Sequence, residues 1–301
     1  MSSLHTRSFA ENIHRVADLI SGDPMLRADA DMRYVLDALA NLEPKAIERL
    51  TPQEARRQPT LGDAARRILT ELGRNPDAGD GIETEDLTFA GPEGELAARI
   101  YRPAGLMAGA MAPMIHYLHG GGWVLGTLES TAATPRALAR RTGAIVVATG
   151  YRLAPEHKFP AAHDDAYAGW LWVTGNARAF DGDPARVALV GEGVGANMAV
   201  SVALQVRAEA QPRPVHLALV SPLASTDFKR QSCIDNLKAR PLNTQMLRWF
   251  MRLALASKAN SADPRIDLVS RTDLGGLPPT TLILAEIDPL LSDGEALGAA
   301  L

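Results

Sequence analysis

The sequence predicts an α/β protein built on a mainly parallel, doubly wound sheet. Two observations carry that prediction. Five short, nearly continuous apolar runs recur along the chain: "PMIHYLH", "AIVVAT", "RVALV", "VHLALV" and "TTLILAE". Runs of this kind read as strands buried on both faces. Helical segments at 130–142, 162–174, 195–210 and 241–256 separate them, and strand–helix alternation favours parallel pairing. At 301 residues, 46% hydrophobic and 22% charged, the chain has the size and composition of one large soluble unit or two smaller ones.

The elements follow in order. Residues 9–75 read as helical and are cut short by several prolines. "MRYVLDALANL" places Tyr34, Val35, Leu36 and Leu39 on one face, and "AARRILTEL" does the same with Ile68, Leu69 and Leu72. "EDLTFAG" and "LAARIYRP" flank Gly-Pro-Glu-Gly, a hairpin signal. The apolar runs follow after a flexible "AGLMAGAMA". Residues 222–260 form a long excursion between two strands. There Met246, Leu247, Trp249, Phe250 and Leu253 are expected to form a helix face on the core, with a substrate lid as the second reading. The chain divides at residue 75 into a helical region, 1–75, and an α/β core, 76–301.

Bulk properties exclude several function classes. A formal charge of −4 gives no reason to expect nucleic acid or an anionic membrane surface as partner. The lone cysteine, Cys233, permits no internal disulfide and no cysteine-based zinc site, and reads as a small buried hydrophobe. The N-terminus lacks a signal-type apolar stretch. No run approaches 18 uncharged apolar residues, so no membrane span is expected. The default location is cytoplasmic.

Two glycine-rich stretches could carry chemistry. "YLHGGGWVLGT" (117–127) puts three glycines after a strand, where backbone N–H groups can approach a ligand closely. Its bland reading is a tight turn. "VALVGEGVGANMA" (187–199) runs from a strand through Gly191-Glu192-Gly193-Val194-Gly195 into a small-residue helix. It fits the dinucleotide-binding pattern G-x-G-x-x-G/A. It also fits G-x-S-x-G, the nucleophile elbow, with glycine in place of serine.

Taken together, "YLHGGGW", "GYRLAPEHKFPAAHDDAY", "FDGDPARVALVGEGVGANMA" and "LPPTTLILAEIDPLLSDGEAL" resemble the hormone-sensitive-lipase family of bacterial carboxylesterases, from about residue 25 to the last residue. The resemblance implies an α/β-hydrolase fold with a helical cap over an acyl pocket. The cap would come from the N-terminal region and part of the 222–260 excursion. Gly121, Gly122 and the N–H of Val194 would form the oxyanion hole, with His119 in the same loop. Gly191, Glu192 and Gly195 would frame the elbow, position 193 would carry the nucleophile, and Asp288 would be the triad acid. The implied ligand is a small ester or acyl group, and neither cofactor nor metal is implied. The resemblance decides against the dinucleotide reading. That fold puts its glycine turn after the first strand and an acid about 20 residues on, whereas here several strands precede the turn and "VHLALV" ends in Ser221-Pro222.

Two parts of the expected chemistry are absent from the sequence. Gly193 has no hydroxyl. The triad histidine must follow the acid, yet all seven histidines (5, 14, 116, 119, 157, 163, 216) precede Asp288. Glu192 is adjacent to the nucleophile position, but that residue normally points away from the pocket. His119, His157 and His163 read as loop-bracing or partly exposed groups. His163-Asp164-Asp165 does not read as a metal site, because adjacent helical residues do not face one point. Two explanations stand side by side. In one the serine was lost, in nature or by design, from an esterase whose chain continues. In the other a natural pseudo-hydrolase binds ligands or partners. The chain stops at Leu301 in a helix expected to open with a capping box, Ser292 to Glu295. That leaves "TTLILAE" as a sheet edge, and bare edges aggregate. The sequence therefore predicts either further chain or a partner, such as a second copy, over this strand.

Overall fold

A computed structural model describes residues 23–76 and 81–301; the helical expectation for residues 9–22 lies outside them. The N-terminal region is a set of short helices: α1 (Ala30–Ala40), α2 (Pro52–Ala55) and α3 (Leu61–Glu71). Each starts on a side-chain cap. Asp29 accepts the Met32 N–H, and Thr51/Glu54 and Thr60/Asp63 form capping boxes. Leu36 is buried in α1, but Tyr34 is 49% exposed. Two residues along a helix turn the side chain by about 200°, so Tyr34 and Leu36 cannot share a face. Leu72, expected on the α3 face, is the C-cap residue and is exposed.

Seven strands form one sheet: β1 (Ile82–Gly91), β2 (Gly94–Pro103), β3 (Ala112–Leu118), β4 (Ile145–Thr149), β5 (Gly182–Glu192), β6 (Leu217–Val220) and β7 (Thr280–Ile283). Their order is β1-β2-β4-β3-β5-β6-β7. The expected hairpin is present, closing at Gly91↔Gly94. Pairing is antiparallel for β1/β2 and β2/β4 and parallel from β4 to β7. The intervening helices are α4 (Ala133–Thr142), α5 (Ala161–Gly175), α6 (Val194–Ala208), α7 (Gln231–Asp235), α8 (Thr244–Ala254) and α9 (Leu291–Ala300). No helix among the described residues is long and apolar enough to cross a membrane.

Side-chain alternation divides each central strand between two layers. Met114 and Leu118 of β3, with Ile145, Val147 and Leu189, pack in the main core with Trp170 of α5 and Met198 of α6. Ile115 and Tyr117, with Val146, Ala148 and Val190, face Ala139 of α4. Both faces are covered, which explains why these strands read as continuous apolar runs. The expected face of α8 is also present: Leu247, Trp249 and Phe250 are buried, and Met246 and Leu253 pack against the same core.

The capping box expected at Ser292 is not formed. Helix α9 begins at Leu291 with no side-chain cap. Tertiary contacts claim the polar side chains instead. Asp293 accepts the N–H groups of Ala224 and Ser225, and Ser292 Oγ accepts the Ser232 N–H. Cys233 is buried, as expected.

One ion pair fixes the loop between β4 and α5. The Arg152 guanidinium grips the fully buried Asp165, with Nη2–Oδ1 at 2.8 Å, and the Arg152 N–H also donates to Asp165. Breaking a buried pair by removing one partner typically costs about 3–5 kcal/mol. Asp165→Ala is therefore expected to lower unfolding free energy by about 3 kcal/mol in a denaturant titration, with the far-UV spectrum retained.

Candidate active site

Strand β5 ends at Glu192 and α6 starts at Val194. Gly193, between them, has φ 54° and ψ −111°, a conformation that costs a side-chain-bearing residue strain. A Cβ built on it meets nothing within 4 Å. The flanking glycines are needed for a different reason. A Cβ at Gly195 would lie 2.1 Å from the Leu118 carbonyl oxygen, and one at Gly191 would lie 2.3 Å from that of Gly195. The elbow is thus two bare backbones in contact, with one position open to a side chain. Asn197, buried in the first turn of α6, anchors it by donating to the carbonyls of Leu223 and Ile266.

The triple-glycine loop leaves β3 beside this bend, since Leu118 pairs with Gly191. Gly121 O accepts the N–H groups of Val124 (3.1 Å) and Leu125 (2.8 Å). C=O and N–H of a trans peptide point in opposite directions, so these bonds turn the Gly122 N–H outward. Among the described residues, no acceptor takes the N–H of Gly121 or Gly122. Val194, first in its helix, carries an N–H that the helix itself leaves unpaired. Phe250 of α8 lies against Gly122, where a Cβ would come within 2.2 Å of its ring.

Asp288 is buried, at 8% exposure. Its Oδ1 accepts the Leu290 N–H at 2.8 Å, and its carbonyl accepts from Asn236 Nδ2 at 3.2 Å. Burial raises its pKa, which Ser221 and the Leu290 N–H offset only in part. Ser221 directly follows β6, whose last residue Val220 pairs with Glu192 and accepts the Gly193 N–H. The acid therefore lies at the same end of the sheet as the elbow.

The remaining candidates resolve individually. His119 is buried, stacks on Tyr151 at 4.2 Å, and holds Gly120 O (2.6 Å) and the Tyr151 hydroxyl (3.0 Å) through Nδ1. It braces the loop. His163 Nε2 pairs with Asn197 Oδ1 at 2.9 Å. Asp165 turns instead to Arg152, so the His163-Asp164-Asp165 run does not converge. Glu192 lies beside the buried Tyr117 hydroxyl, whose pKa rises mainly through burial and then through that carboxylate. Tyr117 belongs to the α4 layer, so Glu192 points away from the open side of Gly193. Among the described residues no histidine hydrogen-bonds Asp288, and no group of three or more metal-type side chains converges. Sequence reading missed Ser221 and Asn236. Neither stands in a catalytic pattern, and only spatial proximity reveals them.

Two expected outcomes follow. Gly193→Ala has room for its methyl and is expected to cost about 1–3 kcal/mol, for backbone conformation alone. Gly195→Ala is expected to cost more, because backbone must move on both sides. Equal denaturant midpoints for the two variants would contradict this account. The second outcome concerns pH. Burial lowers His119 and His163 to about 4 and His116 to about 3, against roughly 6.5 in an unfolded chain. Between pH 6.5 and 4 the unfolded chain binds more protons, so stability falls as pH falls. Asp293, pushed up to about 6 by burial, works in the opposite direction, as do Asp288 and Asp164, which burial also raises, but the three imidazoles outweigh them above pH 5. Urea midpoints are expected to drop from pH 7 to pH 5.

This geometry agrees with known proteins. The alpha/beta hydrolase fold family matches residues 115–301. The chain is 37% identical to the carboxylic ester hydrolase LipN of Mycobacterium tuberculosis over 73% of its own length and 59% of LipN. It is 34% identical to the esterase LipI of the same organism, over 79% of this chain and 75% of LipI. The hyperthermophilic esterase of Pyrobaculum calidifontis superposes with a TM-score of 0.77 at 30% identity, covering 90% of this chain and 85% of that one. With its elbow, glycine loop and buried acid at one end of a mostly parallel sheet, the chain belongs to the hormone-sensitive-lipase family of carboxylesterases, within the alpha/beta hydrolase fold.

Proposed function

We propose that this rim of the sheet is a carboxylic-ester site whose hydrolytic power is set by position 193. The N–H groups of Gly121, Gly122 and Val194 receive the ester carbonyl oxygen. Asp288 occupies the place of the acid that orients a base. A serine at 193 would attack the carbonyl carbon only with a base, oriented by Asp288, to take its proton; the oxygen would become an oxyanion held by those donors, the base would pass the proton to the departing alcohol, and water would then cleave the acyl-serine. Among the described residues no histidine stands at Asp288 to be that base. Glycine supplies no attacking oxygen, so no acyl-enzyme forms and the bound ester persists. The carrying observation is the bend at Gly193, with φ 54° and open space over its Cα, packed against the triple-glycine loop. The short-chain, cytoplasmic esterase type is the finer form of this reading. In the same reading the outer edge of β7, where Ile283 is 53% exposed, is covered by a second copy.

A second reading, a pseudo-hydrolase that binds ligands or partners, is favoured by one observation. Glycine is the residue that takes this backbone conformation without strain, so the fold gains from the substitution that removes the hydroxyl. An assay with 4-nitrophenyl acetate and butyrate separates the two. The glycine protein is expected to hydrolyse both only weakly. Gly193→Ser alone is expected to raise kcat little, because a triad without its base loses about as much as one without its nucleophile; repairing both the serine and a histidine base at Asp288 is expected to raise it by up to about 10⁶-fold. A repaired protein that stays inert but still binds esters supports the binding role; one that neither binds nor hydrolyses them sinks the ester site.

A further inference from the structure

We propose that Arg56 is a positioning residue for the ester carbonyl, acting from the N-terminal helical region on the peptide plane that presents the Gly122 N–H. The inference rests on the ester-site reading and adds to it a residue outside every motif of the catalytic core. Arg56 closes the short helix α2. Its guanidinium reaches across 68 residues of sequence: Nε donates to Val124 O at 2.9 Å. Nη2 donates to Ala154 O at 2.8 Å, and Nη1 and Nη2 form a forked pair with the Glu156 carboxylate at 2.9 and 2.7 Å. That pairing is tight enough to hold Glu156 down to about 2.

The mechanical chain is short. Val124 and Leu125 donate their N–H groups to Gly121 O, which sets the Gly121–Gly122 peptide plane. Arg56 holds the other end of that turn through Val124 O. It also holds Ala154, whose own N–H donates to Trp123 O. One guanidinium thus fixes the turn directly through Val124 and indirectly through Trp123. Glycine cannot steady the loop by side-chain packing, so its orientation must be imposed from outside. A forked, charge-assisted arrangement supplies geometry as well as energy. An isolated surface ion pair would contribute little, but here all four hydrogen bonds of one planar group, to Val124, Ala154 and the Glu156 carboxylate, converge on two loops. The same contacts tie ester polarisation to the docking of the N-terminal region, which also meets the rim through Met25, Ala28 and Leu36 packed near Ile287.

The glycine at 193 makes a direct test practical, because a bound ester is not consumed. Ethyl butyrate labelled with ¹³C at its carbonyl is added to the full protein and the carbonyl stretch recorded by difference infrared spectroscopy. In the parent protein the bound band is expected at lower frequency than in water. In Arg56→Gln most of that displacement is expected to be lost, with Arg56→Lys retaining part of it. Hydrogen exchange at the Val124 and Leu125 amides is expected to speed by about tenfold, the effect of losing one charge-assisted hydrogen bond. Faster exchange with an unmoved band makes Arg56 a merely structural tie and overturns the inference. A displaced band that Arg56→Gln leaves in place, with exchange unchanged, overturns it as well while sparing the ester site. A parent protein with no displaced band overturns both.

Discussion

The site depends on one close approach. The start of α6 meets the end of β3 with no side chain between them, and Gly195 lies where any Cβ would strike the Leu118 carbonyl. Parallel pairing of β3 with β5 brings the two chain ends level, since Leu118 and Gly191 are register partners. The consequence is electrostatic. In the proposed reading the N–H groups of the loop and of the helix terminus face the ester oxygen, where a developing negative charge would be stabilised without any donor having to reorganise. Each donor is a backbone group, so its direction is fixed by packing and not by a rotamer.

The acid is secured by independent means. Asp288 is held by the N–H of Leu290, two residues on, and its carbonyl by Asn236. Helix α7 grips the next residue, because Ser232 Oγ donates to Pro289 O at 2.7 Å. Asp293 then ties α9 to the chain after β6 through Ala224 and Ser225. These bonds satisfy a buried polar turn whether or not chemistry occurs there. Persistence of Asp288 therefore carries little information about turnover, while the identity of residue 193 carries a great deal.

Much of this architecture is legible in the sequence. The two-sided burial of the central strands produces continuous apolar runs, and the Gly-Pro-Glu-Gly hairpin is local chemistry. The elbow and the glycine loop were readable because their glycines answer steric demands that recur wherever this bend is built. Other features were not. The apolar run at 34–36 reads as one face, yet a helix turns about 200° over two residues, so Tyr34 faces away from Leu36. The α9 start was misplaced because Ser292 and Asp293, good capping residues locally, are claimed by partners some 60 and 69 residues away. Arg56 left no signal, since an arginine at the end of a four-residue helix says nothing about a carbonyl 68 positions on. Local rules fail where a long-range hydrogen bond outbids a cap, and those are the places where the loops around the site are held.

The division of labour explains how this protein keeps a site while lacking its hydroxyl. A hydroxyl at 193 would touch no neighbour that the fold needs, because the space over that Cα is empty. Its removal leaves no cavity within the core and no buried partner unsatisfied. It relieves a backbone strain worth on the order of 1–3 kcal/mol. Gly191 and Gly195, by contrast, have no substitute that leaves the strand–helix contact intact, and Asp288 cannot be removed without freeing the Leu290 N–H. Packing therefore constrains Gly191 and Gly195 but leaves position 193 free of a steric demand. In the proposed reading, glycine at 193 is therefore a change the fold accepts without loss, and the amide hydrogens around it would hold an ester that this residue does not attack.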